Sequence, residues 1–149
     1  MTGNDTTPRR ELDESKRALV SALRDRVSDD LRDVWLLDED TQEPLYLRED
    51  VADRISDVDV EKHLDNERYG FVTRETYNLL HYSEFRYTHR GFDTWELFRT
   101  FVVEDGTKVG VVVGLDSNGH TYDFSTLTDT IHDLADEHGV SAFVPEPAD

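Results

Sequence analysis

Leu12, Leu19, Leu23 and Val27 recur at helical spacing with Arg, Asp and Lys between them, and this single apolar stripe predicts a first helix reaching about Asp29. Pro8 suits its first turn with Thr7 as cap, and residues 1–7 read as a polar tail. Residues 31–37 (Leu-Arg-Asp-Val-Trp-Leu-Leu) read as a strand, 38–43 as a polar turn and 44–48 as the hairpin partner. Ser56-Asp57-Val58-Asp59 has the form of a capping box opening a short helix to about Asn66. Thr73 caps a second piece carrying Tyr77, Leu79 and Leu80, with a break at Tyr69-Gly70-Phe71. Further on, the period shortens to two. Residues 84–89 and 94–103 predict strands around a turn at 90–93, and Asp105-Gly106 supplies the positive φ of a hairpin turn into a strand over 107–115. A last helix spans 123–138, with Phe124, Leu127, Ile131 and Leu134 on one side and Gly139 as its stop. The order is α-β-β-α-β-β-β-α. Short hairpin links argue for a five-stranded antiparallel sheet with helices on one face, an α+β fold over residues 8–139 as a single domain. Residues 140–149 read as a C-terminal tail on which Phe143 and Val144 dock.

Length agrees with this, since 149 residues make one domain. Charge changes the picture more. The formal net charge is -18, from 34 Asp and Glu against 16 Lys and Arg, and only Lys16, Lys62 and Lys108 are lysine. This reads as the surface of a halophilic protein, because molar salt shortens the Debye length to about 3 Å and screens the self-repulsion. In such a setting, acidity counts only mildly against nucleic acid, since a small basic patch suffices for phosphate. Cysteine is absent, which removes disulfides, thiol nucleophiles and thiolate metal sites. The longest apolar stretch, residues 109–115, falls far short of the roughly 20 residues of a membrane span, and no apolar core follows Arg9 and Arg10. A cytoplasmic protein without a membrane partner is expected.

The reactive side chains do not assemble into a site by spacing. His63, His81, His89, His120, His132 and His138 include no His-Glu-x-x-His pair, and His132 and His138, six apart on a helix, face different ways. The acidic run 38–43 has the alternating oxygens of a calcium loop but lacks glycine at the sixth position, where Glu43 stands, so it reads as a solvated hairpin turn. No Gly-x-Ser-x-Gly elbow occurs. Gly110 and Gly114 share a strand face with Val112, which flattens that face for close packing instead of forming a phosphate-binding turn. The expectation is a protein that is not an enzyme and carries neither cofactor nor metal.

Aromatic and arginine placement is the least bland feature. Ten of 15 aromatic residues lie between Tyr69 and Phe101. Over residues 67–101, five arginines (Arg68, Arg74, Arg86, Arg90, Arg99) balance Glu67, Glu75, Glu84, Asp93 and Glu96, so this stretch is neutral, whereas ten acids and one base follow Phe101. On the strand 94–103, Trp95, Leu97, Arg99, Phe101 and Val103 share one face, while Glu96, Phe98, Thr100 and Val102 share the other. Both faces are partly apolar, so each is either covered within the chain or meets a partner. Interface cores favour aromatics and Arg over Lys, which nominates Phe85, Arg86, Arg90, Phe92 and Phe98 as partner-binding residues on a homodimer or toward another cytoplasmic protein. Two alternatives remain open. One is a small-molecule sensor with Tyr77, Tyr87, Trp95 and Arg99 lining an internal pocket. The other, less favoured, is a transcription-associated nucleic-acid binder using the first helix and the Arg-rich hairpin.

Residues 31–38 together with Tyr46-Leu47-Arg48-Glu49-Asp50-Val51 resemble small acidic haloarchaeal proteins of unknown function, which implies a source and not an activity. In the order of its elements the chain is similar to the Roadblock and longin group. That resemblance implies a non-catalytic regulatory or scaffold domain that pairs into dimers and serves as a platform for small GTPases and other switch proteins; it carries no functional residue across. The same order also suits a sensor domain of the PAS or profilin kind, which implies a ligand held between sheet and helices.

Overall fold

The computed structural model describes residues 12–55, 60–81, 83–117, 119 and 121–147. Helix α1 covers Glu14–Val27, and Asp13 caps it by accepting the Lys16 amide at 3.0 Å. The hairpin strands β1 (Leu31–Leu37) and β2 (Gln42–Leu47) follow, turning on Asp38, whose Oδ1 accepts the amides of Asp40 and Thr41. Next come α2 (Glu49–Ile55), α3 (Val60–His81), β3 (Tyr87–Gly91), β4 (Trp95–Glu104), β5 (Thr107–Asp116) and α4 (Phe124–His138). At the β4–β5 turn both Asp105 (φ 51°) and Gly106 (φ 84°) have positive φ, as the Asp-Gly pair requires.

All five strands form one antiparallel sheet in the order β2-β1-β5-β4-β3. The fold is therefore α+β, but its helices lie on both faces and not on one. Leu19, Leu23 and Val27 of α1 and Leu127, Ile131 and Ala135 of α4 pack on Val34, Leu36, Phe98, Val102, Val111 and Val113. On the reverse face, Leu64 and Phe71 of α3 pack on Trp35, Leu37, Leu97, Phe101 and Val112. The alternation read along residues 94–103 holds, and each of its two faces is covered by a helix of the same chain. Phe98, expected at a partner surface, is fully buried beneath α4 for this reason.

Three further expectations change. Residues 60–81 form one helix and not two pieces broken at Gly70, because Gly70 is a point of close approach: a Cβ there would lie 2.5 Å from Arg99 Cζ and 2.6 Å from Phe101 Cζ. A seven-residue helix, α2, occupies a segment for which no element was expected. Strand β3 runs to Gly91, so the turn begins two residues later than its polar residues suggest. The Thr7 cap and the capping box at 56–59 lie outside the described residues. After Gly139 (φ 87°) the chain makes a 3-10 turn, Val140–Phe143, that buries Val140 and Phe143 in the α1/α4 core.

Glycine serves packing again at Gly114, where a Cβ would lie 2.1 Å from Asp33 Oδ1. Only glycine admits this carboxyl, whose Oδ2 accepts the Trp35 indole N–H at 2.9 Å. Burial lifts the Asp33 pKa above the usual carboxylate range, opposed by the indole bond and by the charges of Arg32 and His63. A group protonated more readily when folded contributes stability at low pH and loses it as pH rises through its folded value. Chemical denaturation across pH is accordingly expected to show Asp33→Asn gaining on the wild type as pH climbs through the raised pKa. Phe98→Ala is expected to cost about 3–5 kcal/mol, the range for emptying a buried aromatic site, read by the same denaturation.

Candidate interaction surface

One edge of the sheet is β2 and the other is β3. The β2 edge is blunted by Pro44, which has no amide to donate, and by a register shift opposite Val34 and Trp35. Strand β3, Tyr-Thr-His-Arg-Gly, has no such protection. The Phe92 amide donates inward to the Trp95 carbonyl at 2.8 Å, so by antiparallel alternation Arg90 and Thr88 also bond inward, while Tyr87, His89 and Gly91 turn their backbone groups outward. Among the described residues no strand pairs with that outer edge.

Helix α3 crosses one face of the sheet over β1, β5 and β4 and reaches β3 through Glu67 and Arg90. Leu64, Glu67 and Phe71 form its inward stripe, and on the opposite side Tyr69, Val72 and Leu79 are 72%, 68% and 79% exposed. Their spacing, with exposed Thr76 between, is that of one helical face. Large apolar side chains this exposed in a row mark a contact surface more often than chance placement does.

Of the nominated partner residues, Phe85, Arg86, Arg90 and Phe92 sit around β3 while Phe98 is in the core. Phe85 is half-buried and stacks on Tyr77 with ring centroids 5.8 Å apart. Arg86 reaches Asp129 of α4 at 2.5 Å, Arg90 stands 3.4 Å from Glu67, and exposed Phe92 stacks on Trp95 at 4.7 Å. The residues nominated for a ligand pocket do not come together. Trp95 and Arg99 face α3, whereas Tyr87 lies on the other side of the sheet against Phe98, and Tyr77 sits with Phe85 at the end of α3.

Arg99 is also committed elsewhere. Its guanidinium donates to Glu67 Oε1 at 2.6 Å, to the Glu67 carbonyl at 3.2 Å and to Thr88 Oγ1 at 2.9 Å, with both charged side chains almost fully buried. Glu67 thereby ties α3 to β3 and β4. It went unnominated in the sequence, though its phase between Leu64 and Phe71 places a carboxylate on the apolar stripe and signals a buried pair. His132 is occupied in a similar way. Thr100 Oγ1 donates to the Arg86 carbonyl and so accepts from His132 Nε2 at 3.0 Å, and burial together with Arg86 lowers the His132 pKa. Removing one partner of a buried pair strands the other charge, so Glu67→Ala is expected to lower unfolding free energy by about 3–5 kcal/mol in a denaturant titration.

No curated protein matches the chain. Among solved structures it is similar to Myxococcus xanthus MglB, at 14% identity over 93% of this chain and 98% of that one, with a TM-score of 0.53. A structure titled MglB with tetrameric arrangement matches at 12% identity over 89% and 93%, with a TM-score of 0.50. The gliding protein MglB from Thermus thermophilus matches at 13% identity over 85% and 95%, also with a TM-score of 0.50. At these identities the likeness concerns fold, which is of the roadblock/longin kind that the element order suggested. Residues 17–136 match a family described as Domain of unknown function (DUF7522), and the chain belongs to that family.

Proposed function

We propose that this protein is a non-catalytic regulatory or scaffold domain that acts through protein contacts and pairs with a second copy of itself along β3. The observation that carries the reading is the contrast between its two sheet edges: β2 is blocked by Pro44, while β3 turns its outer backbone groups to no strand among the described residues. A two-fold axis at His89 would set Tyr87 opposite the partner's Gly91 and continue the sheet from five strands to ten. Around that seam lie Phe85, Arg86 and Phe92, with Tyr77 beside Phe85, an aromatic and arginine rim of the kind found at interface cores. The resemblance to the Roadblock and longin group supports the same reading, as does the tetrameric arrangement printed for one similar structure. Arg99 and Glu67 satisfy each other's charge, and no helix of the described residues is long and apolar enough to cross a membrane.

Sedimentation equilibrium tests the pairing. His89→Pro removes an outward backbone donor and leaves the β3–β4 backbone ladder intact. Because it also removes the ring that meets Glu96 Oε1 at 2.6 Å and stacks on Phe124, His89→Ala is its control. Relative to that control it is expected to raise the dimer dissociation constant at least tenfold, with the circular dichroism spectrum unchanged. A wild-type chain that stays monomeric at high concentration, or a His89→Pro dimer of undiminished affinity, would refute pairing along this edge.

A further inference from the structure

Beyond the 3-10 turn, the chain makes a contact that neither the sheet nor pairing along β3 requires. Val144 continues in extended conformation, Pro145 is buried, and the Glu146 amide donates to Glu43 Oε1 of β2 at 3.0 Å. The same Glu43 oxygen accepts from Lys16 Nζ of α1 at 2.7 Å, and that ammonium also reaches Glu146 Oε2 at 3.4 Å. Lys16 and Glu43 are 2% and 5% exposed, whereas the Glu146 side chain is half-exposed. Two buried charges from α1 and β2 are thus closed from outside by one acidic residue that is read twice, at its amide by Glu43 and at its carboxylate by Lys16.

The receptor half of this arrangement has a bond of its own, since Lys16 and Glu43 pair directly at 2.7 Å and not through Glu146. An ammonium has three donors, and the second carboxylate supplies a further acceptor that a buried cation needs. The occupant's chemistry is equally definite. Pro145 and Pro147 favour an extended backbone, the ring of Pro145 fills the buried position, and the acid follows it. Residues 144–147 belong to no strand or helix; the Val144 amide closes the 3-10 turn on the Ser141 carbonyl at 3.4 Å, and the Glu146 contacts to Glu43 and Lys16 reach across to α1 and β2.

We propose that the cleft between α1 and β2 is a docking groove for an extended segment of the form apolar–Pro–Glu on a partner protein, and that residues 144–147 fill it in cis as a removable strap. The strap then sets the threshold for docking: a partner segment enters when the chain's own segment leaves.

The test uses the full chain in two forms, wild type and a Pro145→Ser/Glu146→Gln variant with a weakened strap. A fluorescein-labelled peptide, Val-Pro-Glu-Pro-Ala-Asp, is titrated into each and followed by anisotropy. Saturable binding to the variant, at least tenfold weaker binding to the wild type, and at least tenfold loss when the peptide's Glu is replaced by Gln are expected. Equal affinity for both forms, no binding to a folded variant, or indifference to the Glu→Gln change would overturn the groove. Should the variant not fold, amide hydrogen exchange on the wild type decides. Under the proposal the Glu146 amide exchanges by local opening at least 100-fold faster than the β5 amides, and exchange of both at one rate would make the segment an integral part of the core.

Discussion

The chain leaves the sheet at one edge and must re-enter it at the other. β2 and β3 are consecutive in sequence yet flank the sheet on opposite sides, so the connection has to cross three intervening strands. Strands about 4.8 Å apart make that crossing roughly 19 Å wide, and a 22-residue helix of about 33 Å spans it on a diagonal. The helix then has to be held against a face that carries a charge. Glu67 and Arg99 meet that requirement, while Gly70 removes the side chain that would otherwise keep the guanidinium and Phe101 away. Much else depends on this contact. It fixes α3 over β4, it uses up the arginine that a ligand site would have needed, and through Arg90 and Thr88 it braces β3 as an outer strand.

The fold was legible where one side-chain period dominates. β1 stands at the residues its apolar run marks, and Asp105-Gly106 turns as its composition demands. The final helix begins after an Asp123 cap and stops at Gly139, as its stripe and its glycine indicate. Legibility failed where a residue's meaning is set by what crosses above it. Gly70 looks like a helix break in one dimension, and only the presence of Arg99 and Phe101 beneath it turns it into a packing device. The side of the sheet on which each helix lies is likewise absent from local pattern, since an apolar stripe states that a helix is covered but not by which face.

The candidate surface was partly legible for a related reason. The concentration of aromatic and arginine residues between 69 and 101 marks the region around β3 that carries the candidate surface, because composition survives without knowledge of contacts. Which members reach solvent depends on strand phase relative to the covering helices. Phe98 shares a face with Val102 and goes beneath α4, whereas Phe92, in the turn, escapes to the surface. The exposed stripe on α3 is not legible with a break at Tyr69-Gly70-Phe71, which takes Tyr69 out of the helical piece that carries Leu79.

An excess of carboxylates gives the few cations a particular placement. Lys16 joins α1, β2 and the C-terminal strap, and Arg99 joins β4 to α3. Arg48 joins the end of β2 to Asp50 of α2, Asp116 of β5 and the Asp29 carbonyl, and Lys108 joins β5 to Glu75 of α3. Arg68 reaches from α3 to the Asp38 carbonyl and Gln42. Each of these spans elements distant in sequence, and Lys16, Arg48 and Arg68 each meet acceptors from more than one residue. The effect on the acids is visible at Asp50, where the Arg48 hydrogen bond lowers the pKa to about 2. In a chain of net charge -18, a crossing point without a cation would set carboxylate against carboxylate. Cations at the crossings hold elements together, while the remaining acids stay on the outside, where salt can screen them. The neutral stretch around β3 fits the same logic: under the proposed pairing, an edge that meets a second copy of itself cannot carry the charge density that the rest of the surface tolerates.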